Sequence, residues 1–250
     1  MKKLQNISYG EYSENLLDLY LPDSESFPVL VYFHGGGLEG GNKDEGFIFI
    51  DRLVEMGIAV ASVEYRMYPS ARYPDFIEDA ARAVSWAFER IGGFGRCDGI
   101  YVGGTSAGGY ISMMLCFDKR WLGKYSIDPT SVKAWIHDAG QPTAHFNVLR
   151  ERGIDSRRII VDDSAPLYHI GEAREYSPML FIVSHEDMPC RYEQTMLTVS
   201  ALKHFGHDSA ELCLMHGPHC NYLQKRDGNG VSILGSIIGE YIEKNERHLI

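Results

Sequence analysis

Short, almost wholly apolar segments recur along this chain, and stretches with helical periodicity separate them. Segments of five or six such residues are too short for a buried helix, but they suit strands covered on both faces. The clearest of them are Val29–Phe33, Ile58–Val63, Gly99–Gly103, Val132–Ile136, Met179–Ser184 and Glu211–Met215. This alternation predicts an α/β fold with a mostly parallel central sheet and helices on both faces.

The segments between these strands carry helical patterns. Asp75–Ile91 repeats apolar residues at helical spacing, with Asp75 as the expected N-cap and Gly92 as the expected stop. Gly57 is placed to end the preceding helix. A half-buried strand at Leu17–Leu21, in which apolar and polar residues alternate, is expected upstream. The other predicted helices are Phe47–Met56, Ala107–Phe117, Arg191–Phe205 and Val231–Lys244.

The size and composition of the chain fit one globular domain. It has 250 residues, of which 44% are hydrophobic and 23% are charged. No linker, repeat or low-complexity tract divides it, so we expect a single domain over residues 1–250. The less regular stretch at about 138–176 is expected to form either a small cap or a surface excursion.

Charge and cysteine content narrow the range of partners. The net charge is −10, which disfavours nucleic acid as a partner because a phosphate backbone would repel this surface. No secretory signal follows the first lysines, and no apolar run of about 18 residues indicates a membrane span. Five cysteines without paired spacing favour free thiols and a cytoplasmic protein. Whether the chain forms a homo-oligomer is left open.

The segment Gly104–Gly108 reads Gly-Thr-Ser-Ala-Gly, the pattern G-x-S-x-G, between a predicted strand and a predicted helix. A nucleophile on such a sharp turn needs small neighbours because its backbone is strained and crowded. The bare pattern would also fit an ordinary glycine-rich turn. The strand–turn–helix context makes Ser106 the candidate nucleophile.

A second glycine-rich loop, His34–Gly37, directly follows the predicted strand Val29–Phe33. Glycines let backbone N–H groups approach a substrate oxygen, because no Cβ stands in the way. Two such groups, together with the N–H that follows the nucleophile, would stabilise an oxyanion. A flexible loop or a phosphate cradle are the alternatives, but the segment matches neither G-x-G-x-x-G nor a P-loop.

A carboxylate and a histidine follow later strands. Asp187 comes just after Met179–Ser184, and His219 comes just after Glu211–Met215. Because the carboxyl ends of parallel strands share one edge of the sheet, both residues should lie near Ser106. A histidine takes the serine proton and a carboxylate orients that histidine, so the three residues predict a nucleophile, acid and base in that chain order.

Each of the two partners has a rival nearby in the sequence. Glu186 and His185 adjoin the candidate acid, and His216 precedes the candidate base by three residues. We favour His219 because the Gly-Pro dipeptide before it should carry it past the strand into a loop. The His-x-x-His pair lacks the helical His-Glu-x-x-His context of a zinc site, so no metal is expected.

These motifs together resemble the α/β-hydrolase superfamily of the esterase and lipase type. The resemblance is greatest to the hormone-sensitive-lipase-like group and to the bacterial acetylxylan and feruloyl esterase-like group, and it covers most of the chain. An HGGG loop followed by G-x-S-x-G is specific for the superfamily but not for the substrate. The segments that carry it are Leu17–Pro22, Val31–Gly37, Glu64–Arg66, Tyr73–Trp86, Gly103–Gly109, His185–Asp187 and Gly217–His219.

The resemblance implies a serine hydrolase that cleaves small-molecule carboxylic esters through an acyl-enzyme and needs no cofactor. The residues it implies are Ser106 as nucleophile, His219 as base and Asp187 as acid, with an oxyanion hole formed by the backbone N–H groups of Gly36, Gly37 and Ala107. An amidase such as a formamidase would use the same residues. A non-catalytic binding protein on this fold is the alternative from another class.

Two local features bear on the acid and on the substrate. Members of the family often show Gly-x-x-Asp before the acid, and here Ser184 stands in place of that glycine. Gly41–Lys43 is similar to the Gly-Asp-Lys that follows HGGG in carbohydrate-esterase-like members. The second feature favours short acyl esters such as acetylated sugars.

Overall fold

The computed structural model describes residues 1–45 and 48–247, and an eight-stranded sheet organises these residues. Apolar and β-branched residues form its central strands, because they suit a pleated surface that is covered on both faces. The strands are β1 (Lys2–Ser8), β2 (Leu16–Leu21), β3 (Ser26–Phe33), β4 (Ala59–Val63), β5 (Arg96–Thr105), β6 (Trp135–Asp138), β7 (Met179–Glu186) and β8 (Ala210–Pro218).

The strands lie in the order β1-β2-β4-β3-β5-β6-β7-β8. From β4 to β8 every neighbouring pair is parallel, whereas β1 and β2 add two antiparallel pairings at one edge. The predicted mostly parallel sheet is therefore confirmed. Because parallel strands end at the same edge, the loops after β3, β5, β7 and β8 meet on one side of the molecule.

Helices cover both faces of the sheet, as predicted. Their bounds are α1 (Ile48–Glu55), α2 (Asp75–Arg90), α3 (Ala107–Phe117), α4 (Arg120–Gly123), α5 (Phe146–Glu151), α6 (Arg191–His204) and α7 (Ile233–Arg247). Helices α1 and α7 share one apolar core with the sheet, and α2, α3 and α6 share the other. In β3, Val29 and Val31 enter the second core while Leu30 and Tyr32 enter the first, the alternation expected of a strand.

Most strands extend beyond or are shifted from their predicted bounds, and β6 and β8 show the reasons most clearly. β6 is shifted from the predicted Val132–Ile136, since its pairing with β5 includes two buried polar residues that an apolar pattern leaves out. β8 continues to Pro218, which pairs with Glu186 of β7. The prediction that the Gly-Pro dipeptide lies in a loop was wrong, and His219 directly follows the strand.

The observed ends of α1 and α2 agree only in part with the ends predicted from N-cap and glycine signals. Helix α2 begins at Asp75 with Pro74 as its N-cap residue, so the prediction of Asp75 as the N-cap was wrong. It ends at Arg90, two residues before the predicted glycine stop. Gly57 has a φ of +81°, the left-handed conformation expected after a helix. Phe47, the predicted start of α1, lies outside the described residues.

The stretch 138–176 is irregular and contains α5 and a short 3₁₀ turn. Three of its buried residues, Ala144, Leu149 and Ala165, form a small apolar cluster separate from the two main cores. The amide of Asn147 donates a hydrogen bond to the carbonyl of Gly37. This segment therefore packs beside the glycine-rich loop that follows β3.

The structure also bears on the predictions about cysteine thiols, metal-binding groups and membrane-spanning helices. All five cysteines have free thiols in the structure. Within residues 1–45 and 48–247, no group of three His, Cys, Asp or Glu side chains is arranged to hold a metal ion. None of the helices in the same ranges combines the length and the apolar character that crossing a membrane requires.

Candidate active site

Ser106 lies on the tight turn between β5 and α3. Its φ of 55° and ψ of −110° are uncommon for a residue with a side chain. Such a conformation costs about 1–3 kcal/mol and persists only where the surroundings impose it. The Ser106 N–H donates to the Asp138 carbonyl at 2.8 Å, and the Ser106 carbonyl accepts from the Tyr110 N–H at 3.0 Å. The turn is thus held from both sides.

The two glycines that flank this serine have no room for a side chain. A Cβ on Gly104 would lie 2.6 Å from the backbone carbonyl carbon of Gly108, and one on Gly108 would lie 1.9 Å from the carbonyl oxygen of Phe33. Both obstacles are backbone atoms, which cannot move aside without disturbing the sheet. The packing accounts for the small residues on either side of Ser106.

Ser106, His219 and Asp187 are joined by hydrogen bonds. His219 Nε2 lies 2.8 Å from Ser106 Oγ, and His219 Nδ1 lies 2.5 Å from Asp187 Oδ1. The Asp187 side chain is fully buried, whereas that of His219 is 23% exposed. An ionised carboxylate only accepts hydrogen bonds, so Nδ1 carries the hydrogen and Nε2 is left to accept the serine proton.

The rival residues lie outside this contact network. Glu186 is exposed at the end of β7, and His185 packs against the ring of Tyr192 with the centroids 4.6 Å apart. His216 is exposed on β8. The structure therefore brings together the three residues that the sequence analysis favoured.

The loop after β3 passes beside Ser106. A Cβ on Gly35 would lie 3.4 Å from the Cβ of Ser106. Gly36 and Gly37 have φ values of +106° and +69°, which glycine adopts without a steric penalty. Within the described residues, no hydrogen-bond acceptor is found for the N–H groups of Gly36, Gly37 and Ala107. These three donors remain available to an oxygen atom.

Buried contacts hold this loop in place. His34 Nε2 lies 3.1 Å from Glu64 Oε1, and the His34 ring stacks on the ring of Tyr65 with the centroids 4.5 Å apart. The other Glu64 oxygen accepts from the Lys43 N–H at 3.1 Å. The Lys43 ammonium pairs with buried Asp18 at 2.9 Å. Lys43, part of the segment similar to carbohydrate esterases, therefore supports the loop from inside the fold.

Ser184, which stands where the family often has glycine, connects the acid loop to the histidine loop. Its hydroxyl donates to the Gly217 carbonyl at 2.5 Å and accepts from the Glu186 N–H at 3.1 Å. Gly217 precedes His219 by two residues, and Glu186 precedes Asp187. The substitution thus contributes to the arrangement of the acid and the base.

Comparison with known proteins identifies the family. The BD-FAE family model matches residues 17–218, which is most of the chain. This chain belongs to the BD-FAE family. The match begins at β2 and extends to the last residue of β8, so it includes Ser106 and Asp187 and stops directly before His219.

Curated relatives match this BD-FAE chain over part of its length. A probable isoprenylcysteine alpha-carbonyl methylesterase from Oryza sativa subsp. japonica is 36% identical over 112 residues, which is 44% of this chain and 27% of that protein. Kynurenine formamidase from Danio rerio is 30% identical over 135 residues, which is 53% of this chain and 44% of that enzyme. The chain thus spans less than half the length of either relative.

The solved structures establish the fold. A truncated form of a carbohydrate esterase from gut microbiota superposes with a TM-score of 0.79 at 17% sequence identity, covering 99% of this chain and 97% of the other. Similarity at this level of identity concerns the fold alone. Together with the observed strand order, it confirms that this BD-FAE chain has the predicted α/β-hydrolase fold.

A second buried carboxylate, which the sequence analysis missed, lies beside this BD-FAE site. Asp138 ends β6, where its two oxygens accept from the Thr105 hydroxyl at 2.6 Å and from the Tyr222 hydroxyl at 2.5 Å. Burial raises the pKa of Asp138 to about 6, although both hydrogen bonds act in the opposite direction. Nothing in the local sequence marked Asp138, because its partners come from distant segments.

Asp138→Asn should remove a pH dependence of stability. Because the folded-state pKa of Asp138 is raised, the fold binds its proton more tightly than the unfolded chain does, and stability falls as pH rises from about 4 to about 6. The unfolding free energy of the wild type relative to Asp138→Asn should fall by about 2 kcal/mol over this range. Urea unfolding of both proteins at pH 4, 5.5 and 7 measures this. A constant difference would contradict it.

Cys220 also contacts the candidate base and was not anticipated. Its Sγ lies 3.3 Å from His219 Nε2, whereas Ser106 Oγ lies 2.8 Å from the same nitrogen. Burial raises the pKa of the Cys220 thiol, so it is protonated at neutral pH and a poor nucleophile. Ser106 therefore remains the nucleophile that this geometry favours.

Proposed function

We propose that this chain is a serine carboxylic ester hydrolase that acts on short-chain acyl esters, such as acetylated sugars, through an acyl-enzyme. The observation that carries the proposal is the unbroken contact from Ser106 Oγ through the His219 ring to Asp187, at 2.8 Å and 2.5 Å. A serine hydroxyl is a weak nucleophile until a positioned base takes its proton. This arrangement supplies that base and the carboxylate that orients it.

The first half of the reaction forms the acyl-enzyme. His219 Nε2 takes the hydroxyl proton as Ser106 Oγ attacks the ester carbonyl carbon, and the carbonyl oxygen becomes an oxyanion. The N–H groups of Gly36, Gly37 and Ala107 then bind that oxygen, and one such donor is typically worth about 3 kcal/mol. Collapse of the intermediate breaks the ester bond, and the alcohol leaves with the proton from His219.

The second half releases the acid. A water molecule gives a proton to His219 and attacks the acyl carbon, and Ser106 recovers its proton from His219 as the carboxylic acid leaves. Asp187 stays ionised and stabilises the imidazolium in both halves. The reaction needs no group beyond these side chains and backbone donors.

The segment 138–176 supports a small acyl pocket. Phe146 projects toward the glycine-rich loop, since a Cβ on Gly37 would lie 3.3 Å from its ring. Arg150 pairs with Glu39, which ties the segment to the same loop. We infer that this segment caps the site and restricts the length of the acyl chain.

The relative that is a kynurenine formamidase favours one other candidate function, the hydrolysis of N-formyl amides. The chemistry of attack would be the same, and only the leaving group would differ. A non-catalytic binding protein would have no use for the strained Ser106 turn and its contacts. We therefore rank the amidase second.

Hydrolysis of p-nitrophenyl esters from acetate to decanoate tests the proposal. We expect turnover of acetate and butyrate. For decanoate, kcat/KM should be reduced by about 10-fold or more, because each methylene that finds no space loses its binding energy. N-formyl anilides and acetylated sugars complete the panel. Turnover of the formyl anilides alone would establish the amidase, and no turnover on any substrate by the folded protein would contradict both.

A further inference from the structure

A cavity of about 320 Å³ lies between the stretch 138–176 and the start of α6. A larger depression of about 840 Å³ lies elsewhere, at Tyr9 and Trp86, and its lining includes none of the three candidate catalytic residues. The smaller cavity adjoins the site, because its wall contains Phe146, whose ring lies against the loop at Gly37. The smaller cavity is relevant to the substrate because it lies beside the candidate active site, although the other depression is larger.

Arg191 lines this cavity and is only 4% exposed. Its guanidinium donates to the carbonyl of Ala139 and, at 3.4 Å, to the side-chain oxygen of Gln141. Both acceptors are neutral, and no carboxylate oxygen of the described residues lies within 4.0 Å of the guanidinium. Asp187 attracts it from farther away, but that carboxylate is bound to His219. A buried charge without a close counter-ion is costly, so a purely structural role is poorly explained.

The other charged residues of the lining have the same sign of charge as Arg191. Arg157 and Arg158 also face the cavity, and none of the described residues that line it is Asp or Glu, although the chain as a whole has 34 acidic and 24 basic residues. Arg157 is paired with Asp155 outside the lining, which leaves Arg158 and Arg191 uncompensated by an adjacent carboxylate. A concave wall with one sign of charge concentrates small ions of the opposite sign.

We propose that this cavity binds a carboxylate group of the substrate and that Arg191 is its main ligand. The inference rests on the proposed function and narrows the substrate class. The preferred esters carry a carboxylate on the acyl or the alcohol part, as in half-esters of dicarboxylic acids or acetyl esters of acidic sugars. A planar guanidinium suits this role because its N–H groups can hold both oxygens of a carboxylate. Gln194 adds an amide to the same wall.

Matched pairs of anionic and neutral esters test the proposal in the wild-type protein. The acyl side is probed with 4-nitrophenyl hydrogen adipate against its methyl ester, and the alcohol side with 4-acetoxybenzoate against its methyl ester. On one of the two pairs, kcat/KM should be about 10-fold or more higher for the anionic ester, since a buried charge pair contributes at least this much. The pair that shows the preference identifies the side that enters the cavity.

Variants assign the preference to Arg191. Arg191→Gln should lower the anionic-to-neutral ratio by about 10- to 100-fold, and Arg191→Lys should restore part of it because the charge is retained. Arg174→Gln removes an exposed guanidinium outside this lining and should leave the ratio unchanged. If the wild type hydrolyses the neutral esters without preferring either anion, the carboxylate site is wrong while the esterase proposal stands.

Binding of adipate, measured by calorimetry, tests the cavity without turnover. We expect wild-type protein to bind adipate and Arg191→Gln to bind it about 10-fold or more weakly. The dimethyl ester of adipate should bind less tightly than the dianion. Absence of adipate binding to the folded wild type, together with no preference in the ester pairs, would overturn the inference even if Arg191→Gln fails to fold.

Discussion

Replacement of Ser106 by alanine is expected to reduce kcat/KM for p-nitrophenyl acetate by about 10⁴- to 10⁶-fold. The loss follows from the removal of the hydroxyl oxygen that lies 2.8 Å from His219 Nε2 and would attack the carbonyl. Alanine keeps the size and backbone of the turn nearly unchanged, so the protein should remain folded. Ester hydrolysis and thermal unfolding of the two proteins measure both effects.

A matched control for this loss is Ser70→Ala, because Ser70 is exposed and its hydroxyl donates to the Met67 carbonyl at 2.9 Å, away from the three candidate catalytic residues. This variant should hydrolyse the ester at the wild-type rate. A fluorophosphonate probe should label the wild type and Ser70→Ala but not Ser106→Ala, since it reacts with an activated serine. Labelling of Ser106→Ala, or retention of its esterase activity, would place the nucleophile elsewhere.

Asp187→Asn is expected to lower kcat by about 10³- to 10⁴-fold. The carboxylate accepts from His219 Nδ1 at 2.5 Å, and an amide that presents its NH₂ group there would favour the wrong tautomer of the ring. The imidazolium that forms during attack would also lose its counter-charge. Kinetics with p-nitrophenyl acetate at pH 7 to 9 measure the loss.

Two other carboxylates provide controls for the identity of the acid. Glu186→Gln alters the exposed neighbour in the chain and should leave kcat within about twofold of the wild type, as surface substitutions usually do. Asp138→Asn alters the second buried carboxylate, which binds Thr105 and Tyr222 rather than His219, and its effect should be far smaller than that of Asp187→Asn. A larger loss in Asp138→Asn would make Asp138 the acid.

Some features of this fold were not visible in the sequence. β1 was missed because Lys2–Ser8 is an edge strand in which Leu4 and Ile7 are only half buried. Its register with β2 shifts between those two residues, and this shift breaks the alternation that marks a strand. β6 was misplaced because it ends in two buried polar residues, His137 and Asp138. These residues pair with Gly104 and Thr105 of β5, which are distant in the chain, so the local pattern did not indicate a strand there.

The order of elements was predictable because the signals for it are local. A run such as Val29–Phe33 must be covered on both faces wherever it lies in the fold, and the next element along the chain is the helix α1. The glycines around Ser106 were equally informative, since a sharp turn between strand and helix requires small residues within a few positions. The topology then brings the ends of β5, β7 and β8 together.

The proximity of the candidates Ser106, Asp187 and His219 could therefore be predicted from the sequence, because strand ends in a parallel sheet share one edge. Only the tertiary structure decided the distances between them and showed Asp138, Cys220 and Arg191 around them. These contacts join segments far apart in the chain, and burial, which raises the pKa of Asp138 to about 6, depends on every layer packed above it. Local sequence determines which elements form. The distances between the side chains of a site and the protonation of its buried groups depend on contacts that exist only after the chain has folded.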